Sequence, residues 1–153
     1  MINTPILSYV PVLTLIIVLG YTSLLDLRGR RVPVGMWYPW IATMVPYGLV
    51  MMYLNGSWSL LIDVALLTIV FYGLACFDLL GGGDVIGIAA ALFATTLVIG
   101  NPYWALVAIA LMYLVGSANV MAYRKIKGIV DGNVAMMPFI LCGTVITVAL
   151  SLF

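Results

Sequence analysis

The sequence predicts an all-α, polytopic membrane protein with six transmembrane helices. Of its 153 residues, 65% are hydrophobic and only 7% are charged, and the mean hydropathy is +1.25. A soluble domain of this size carries far more charge, because its surface must face water. Lipid is therefore the expected solvent for most of the chain.

Short polar or Gly/Pro-containing breaks divide the chain into six apolar segments, most of them close to the roughly 20 residues that cross a bilayer. The predicted spans cover residues 5–25, 36–54, 59–80, 85–100, 103–122 and 133–152. The fourth is short, so we expect it to begin in a thinned or protein-lined part of the membrane. Because no linker or low-complexity tract interrupts the pattern, residues 1–153 are expected to form a single membrane-embedded domain.

The basic residues predict the orientation of these spans. All six Lys and Arg residues fall within two clusters, residues 28–31 and 124–127, which follow the first and fifth segments. Short loops rich in Lys and Arg remain in the cytoplasm. We therefore expect the loops near 26–35, 81–84 and 123–132 to be cytoplasmic and both termini to lie outside the plasma membrane.

The chain lacks several residue types on which enzymes commonly depend. It contains no His and no Glu, which excludes a His-dependent triad. Cys76 and Cys142 stand alone in apolar segments, where packing is their expected role, and they cannot supply a Cys/His zinc site. No metal and no cofactor are expected. Acid–base chemistry is left to five aspartates, which are Asp26, Asp63, Asp78, Asp84 and Asp131.

Asp26 and Asp84 are the strongest candidates, because each lies where a long apolar segment meets a predicted cytoplasmic turn. Asp26 ends the first segment, where the helix dipole opposes a negative charge, so helix stability does not explain it. Asp84 follows Gly81, Gly82 and Gly83. An N-cap role would explain the aspartate but not three glycines, which allow close backbone approach or a sharp bend. Two carboxylates are therefore expected to meet at one membrane face.

The other three aspartates have simpler interpretations. Asp78 is a possible additional site carboxylate near the cytoplasmic end of the third segment, and an interfacial residue is an equal alternative. Asp63 lies near the opposite end of that segment and is expected to be a helix-start charge. Asp131 is expected to occupy a turn or an N-cap.

Two motifs resemble those of the type IV prepilin and archaeal preflagellin peptidases, which are integral-membrane aspartyl proteases of the GxGD type. The first motif is an aspartate followed by a basic stretch and a proline, here Asp26 with Pro33. The second is GxGD followed by an apolar helix, here residues 81–84. A weaker third match is the proline-bearing start of the last segment, at Pro138. Two departures are Val34, where the family usually has Asn, and Ile86, where it commonly has Lys.

The resemblance implies an aspartic endopeptidase in which Asp26 and Asp84 activate water without a metal, while Gly81, Gly82, Gly83 and Pro33 shape the site. It implies a pilin-like or archaellin-like precursor as the substrate, cut at the cytoplasmic face to remove a basic leader. No methyltransferase activity is expected, because nothing here corresponds to the cytoplasmic insertion of larger family members.

The expected partners are this precursor and membrane lipid, whose anionic headgroups the basic residues would contact. Six basic residues indicate no nucleic-acid function. The sequence leaves two alternatives open: a small channel or transporter that uses the aspartates as an ion path, and an inactive scaffold for pilus assembly.

Overall fold

The computed structural model describes residues 5–28, 32–77, 81–127 and 135–152. All regular structure within these ranges is helical. The elements are α1 (Pro5–Ser8), α2 (Val10–Leu27), a 3-10 helix (Val34–Trp37), α3 (Tyr38–Asn55), α4 (Trp58–Cys76), α5 (Gly82–Ile99), α6 (Pro102–Lys127) and α7 (Met137–Leu150). The all-α prediction is therefore confirmed for the described residues.

Three of these helices, α2, α4 and α5, are long and apolar enough to cross a membrane. Large apolar side chains cover much of the outer surface. Ile62 and Ile69 of α4, for example, are 63% and 65% exposed. Exposed apolar surface on this scale is typical of a lipid-facing protein. The structure therefore agrees with the prediction of a helical membrane protein and has three helices that could span the membrane. The number of six spans stays a prediction.

Prolines and glycines determine where several helices begin and end. Proline occupies the first turn of α2, α3 and α7, where its missing N–H would have no partner within the helix. Gly56 and Gly100 terminate α3 and α5 in the left-handed conformation, with φ of 66° and 71°. Glycine adopts this conformation without the steric penalty that a Cβ imposes.

The central helix of the bundle is α5. It contacts α2, α3, α4, α6 and α7, and it is the most buried of the three long apolar helices. By contrast, α4 is the least buried of the three. Small residues allow close helix packing: a Cβ at Gly143 of α7 would lie 2.7 Å from the Cα of Ile109 in α6. The buried core thus surrounds α5, with α2 and α7 packed beside it.

Three sequence-based expectations differ from the structure. The fourth predicted segment, 85–100, was expected to be short, whereas α5 has 18 residues and is long enough to cross a membrane. The fifth predicted segment ended at residue 122, whereas α6 continues to Lys127. The basic residues are good helix formers and no Gly or Pro interrupts them before Gly128, so the helix extends through them. The packing role expected for Cys76 and Cys142 is wrong, because both thiols are free and exposed on the protein surface. The apolar sequence around each cysteine reflects lipid-facing surface, not the protein core.

Candidate functional site

Asp26 lies in the last turn of α2 and is half-buried. Its Oδ2 accepts a hydrogen bond of 3.0 Å from the backbone N–H of Met137. Met137 is the first residue of α7, where backbone N–H groups have no partner within the helix. The Asp26 carboxylate therefore supplies an acceptor to a second helix 111 residues away in the sequence. The positive end of the α7 dipole favours a negative charge at this position.

Asp84 lies in the first turn of α5 and is also half-buried. The helix begins at Gly82, three residues before the predicted start, with Gly81 as its N-cap. Oδ2 of Asp84 accepts a hydrogen bond of 3.2 Å from the backbone N–H of Gly81, and the Asp84 N–H donates to the Gly81 carbonyl at 3.0 Å. Asp84 is thus not the N-cap itself. Its side chain folds back over the start of α5.

The three glycines before Asp84 allow the start of α5 to approach its neighbours closely. A Cβ at Gly83 would lie only 3.0 Å from the carbonyl oxygen of Val32 and 3.8 Å from Cε of Met137. At Gly82 the nearest heavy atom to a Cβ, Cγ2 of Val34, would be 3.8 Å away, an ordinary contact. Gly83 therefore fits between the chain segment before the 3-10 helix and the start of α7.

Pro33 directs that chain segment across the start of α5. It is the N-cap of the 3-10 helix and has an extended conformation, with φ of −68° and ψ of 133°. The proline ring fixes φ near this value, and the residue before a proline avoids the helical region. The carbonyl of Val32 comes close to Gly83 as a result.

The structure brings Asp26 and Asp84 together at one end of the bundle. Met137 links them, because its backbone binds Asp26 while its side chain packs near Gly83 and Gly87 of α5. The negative charge of Asp26 also acts directly on the Asp84 carboxyl group. Their meeting was predicted from the sequence. Their catalytic role stays a prediction.

Among the other aspartates, Asp63 is described by the structure, and it does not join this pair. Asp63 lies in the second turn of α4, and the hydroxyl of Tyr103 at the start of α6 donates a long hydrogen bond of 3.5 Å to its Oδ1. This contact is at the opposite end of the bundle from Asp26 and Asp84. The predictions for Asp78 and Asp131 lie outside the described residues.

Sequence reasoning missed the backbone groups that hold the site together. The N–H of Met137 and the carbonyl of Val32 are backbone groups. Almost every residue type has them, so the sequence does not show which ones contribute to the site. One signal was available: Pro138 marks a helix start, where free backbone N–H groups are expected to bind an acceptor. The site therefore includes the start of α7 as well as the two aspartates.

This arrangement can support general acid–base chemistry. Two carboxylates within electrostatic reach do not easily ionise together and tend to share a proton, which leaves one base and one acid. Among the residues that the structure describes, no three His, Cys, Asp or Glu side chains come together as a metal site would require. A pair of carboxylates that positions a water molecule is the chemistry that these side chains fit best.

No known protein family, curated protein or solved structure matches the chain.

Proposed function

We propose that this protein is a membrane aspartic endopeptidase that removes a short basic leader from pilin-like or archaellin-like precursors. The observation that carries the proposal is the convergence of Asp26 and Asp84, each fixed by a backbone N–H, at 3.0 Å and 3.2 Å. In a protein this apolar, two neighbouring carboxylates are destabilising because they repel each other and lose hydration. A function is therefore the best explanation for their proximity. The type of reaction, peptide hydrolysis, is inferred from the two motifs that resemble those of the GxGD peptidases.

In the proposed reaction, one carboxylate acts as base and the other as acid. The ionised carboxylate takes a proton from water as the water oxygen attacks the scissile carbonyl carbon. The protonated carboxyl group donates to the carbonyl oxygen as it becomes negative. The tetrahedral intermediate then collapses, the C–N bond breaks, and the proton taken from water passes to the leaving amine. The products are the free leader and the shortened precursor.

We assign the base to Asp26 and the acid to Asp84. Asp26 receives the shorter hydrogen bond, 3.0 Å against 3.2 Å for Asp84, and its donor is the first N–H of a separate helix. Asp84 accepts a longer bond from the residue that caps its own helix. When the pair shares one proton, that proton is therefore assigned to Asp84.

The proposed topology has six spans, with the aspartate pair at the cytoplasmic face of the plasma membrane. Arg28 follows Asp26 by two residues, and Lys125 lies near the end of α6; both are exposed. Loops with such basic residues favour the cytoplasm. A precursor whose basic leader stays in the cytoplasm while its apolar segment enters the membrane would present its cleavage site at this depth.

Co-expression with a pilin-like precursor tests the proposal. Leader removal would be followed by the change in precursor mobility and by mass spectrometry of the product. We expect the wild-type protein to cleave, and we expect Asp26→Asn and Asp84→Asn to lower the rate by at least about a hundredfold, the range of a lost acid or base. Full cleavage by either variant would refute the assignment of the pair.

Asp63→Asn is the matched control for these variants. It makes the same chemical change in the same fold, but its carboxylate accepts a hydrogen bond from the exposed Tyr103 hydroxyl at the opposite end of the bundle. We expect this variant to cleave the precursor at the wild-type rate. If all three aspartate variants lose activity equally, the loss reflects folding and the pair has no special role.

The rival function is an ion channel or transporter that uses the same carboxylates. It predicts ion flux in proteoliposomes that depends on Asp84, with no precursor cleavage. The endopeptidase predicts the reverse result. A scaffold for pilus assembly predicts neither flux nor cleavage, and it predicts that Asp26→Asn and Asp84→Asn leave pilus assembly unchanged.

A further inference from the structure

Two buried polar side chains lack a hydrogen-bond partner in the described part of the chain: the hydroxyl of Ser23 and the indole N–H of Trp37. Ser23 is 5% exposed and Trp37 is 0% exposed. An unpaired buried polar group destabilises a protein by about 1–3 kcal/mol, so such groups are nearly always bonded to protein or to ordered water. Each of these two therefore calls for a partner.

Ser23 differs in this respect from its buried neighbours. The adjacent Thr22 donates its hydroxyl to the carbonyl of Leu19 at 3.1 Å, within its own helix. Thr95 and Thr144, also buried, bond back to their own helices in the same way. Ser23 has the same local option and does not use it. Its hydroxyl is therefore available to a group outside α2.

Ser23 lies one helical turn from Asp26, and the ring of Trp37 lies beside Gly87, one helical turn from Asp84. Ser23 precedes Asp26 by three residues on α2, and Gly87 follows Asp84 by three residues on α5. A Cβ at Gly87 would lie 3.3 Å from Cζ2 of Trp37. Because Cζ2 and Nε1 are both bonded to Cε2, this is the N–H edge of the indole. Each polar group thus lies toward the bundle interior from a carboxylate, by about one turn or 5 Å.

Apart from Trp37, the side chains nearest to Gly87 are apolar. The same Cβ position at Gly87 lies 3.3 Å from Sδ of Met137 and 3.4 Å from Cδ1 of Ile140, and both residues are fully buried. Neither side chain offers a strong acceptor to the indole N–H, since a thioether accepts only weakly. An oxygen acceptor from outside this set of side chains is required.

We propose that Ser23 and Trp37 bind an internal water molecule directly beneath the aspartate pair. The indole N–H is only a donor and would donate to the water oxygen, while the Ser23 hydroxyl can accept from the water or donate to it. Internal waters typically join two to four polar groups that would otherwise be unpaired. A carbonyl of a bound peptide offers the same chemistry, but both protein atoms are closed to the surface, so the resident ligand is water.

This water site stands independently of the proposed endopeptidase activity. It gives the interior side of the carboxylate pair a polar layer, whichever reaction the pair performs. Ser23 and Trp37 are assigned to water binding and not to catalysis.

Tryptophan indole NMR tests the site. The protein, labelled with ¹⁵N-tryptophan and placed in lipid nanodiscs, gives one indole signal for each of its 4 tryptophans. The Trp37 signal is assigned from its loss in Trp37→Phe or, if that variant does not fold, by elimination with single Phe variants of the other three. We expect the Trp37 N–H to show magnetisation transfer from water and to shift upfield in Ser23→Ala, which should fold because Ala favours helices.

Trp40 supplies the internal control. Its Nε1 donates to Thr14 Oγ1 at 3.2 Å, so its signal should show no water transfer and no response to Ser23→Ala. The proposal is overturned if the Trp37 signal behaves like that of Trp40. It is also overturned if the Trp37 signal responds only when precursor peptide is added to the Asp84→Asn protein, because the acceptor is then a peptide oxygen.

Discussion

Asp26 and Asp84 differ in what their Asn variants can still do, and this difference tests the assignment of base and acid. Asn at position 84 cannot donate a proton for transfer, but its amide can still donate a hydrogen bond to the developing oxyanion. Asn at position 26 cannot take a proton from water. We therefore expect more residual cleavage from Asp84→Asn, by about tenfold, in single-turnover assays. The opposite order would reverse the two roles.

Gly83 and Gly82 are neighbours with different surroundings, and this contrast supplies a matched pair of variants. A Cβ at Gly83 would lie 3.0 Å from the Val32 carbonyl oxygen, so Gly83→Ala must displace the segment beside Asp84. A Cβ at Gly82 meets nothing closer than 3.8 Å. Small displacements at reacting groups cost up to about a hundredfold in rate, so we expect Gly83→Ala to lose about tenfold and Gly82→Ala less than twofold in leader cleavage.

Helix propensity alone predicts that Gly83→Ala stabilises the protein, in contrast to the loss expected from the close contact. Alanine in a helix is about 0.5–1 kcal/mol more stable than glycine, so a purely local effect would stabilise both variants equally. Equal cleavage rates together with equal unfolding temperatures in detergent would show that the close contact at Gly83 has no functional consequence.

The sequence allowed Asp26, Asp84 and the glycines to be identified because each conflicts with its apolar surroundings. A carboxylate at a membrane helix end and three glycines in succession have few structural explanations. The donors that fix the two side chains could not be identified in this way. The N–H of Met137 is present in any residue except proline, and only the fold brings it to Asp26.

Among the helices, α7 connects the site to the rest of the bundle, because its first residue binds Asp26 and its middle packs on α6. A Cβ at Gly143 would lie 2.7 Å from Cα and 2.9 Å from N of Ile109, so backbone must move to admit it. Overpacking of this kind costs about 1–3 kcal/mol. We expect Gly143→Ala to lower the unfolding temperature in detergent and to reduce cleavage by displacing Met137.

Gly73 provides the control for this helix contact. It lies within α4, and a Cβ there would meet no atom within 4 Å. Gly73→Ala should therefore be neutral, or stabilising by up to about 1 kcal/mol through helix propensity. If Gly143→Ala is as stable as Gly73→Ala, the close approach of α6 and α7 is not needed for the fold.

Helix bounds were easier to predict than helix packing. The helices capped by Gly56 and Gly100 end within one residue of the predicted ends at 54 and 100, since local backbone conformation determines such ends. The central position of α5 was not predictable from hydropathy, because α4 is equally apolar and yet largely faces outward. Composition distinguishes transmembrane helices from helices of soluble proteins. It does not show which apolar face of a transmembrane helix packs against other helices and which faces lipid.

At the scale of the whole molecule, the proposed function requires both aspartates to lie at the same membrane face as the basic loops. Cysteine labelling tests this directly in a background of Cys76→Ser and Cys142→Ser, which removes the two exposed thiols. Single cysteines would replace the exposed residues Arg28, Gly82 and Asn55. Asn55 ends α3 and lies at the opposite end of the proposed spans from the other two.

A membrane-impermeant maleimide should label Asn55→Cys in intact cells, and it should label Arg28→Cys and Gly82→Cys only after the membrane is permeabilised. This pattern follows from the positive-inside rule, because the Arg28 loop is expected in the cytoplasm. In the proposed topology α2 ends and α5 begins at that face. Opposite accessibility of positions 28 and 82 would place the two aspartates at different faces. The two carboxylates could then not act on the same water molecule, and the proposed endopeptidase activity would be excluded.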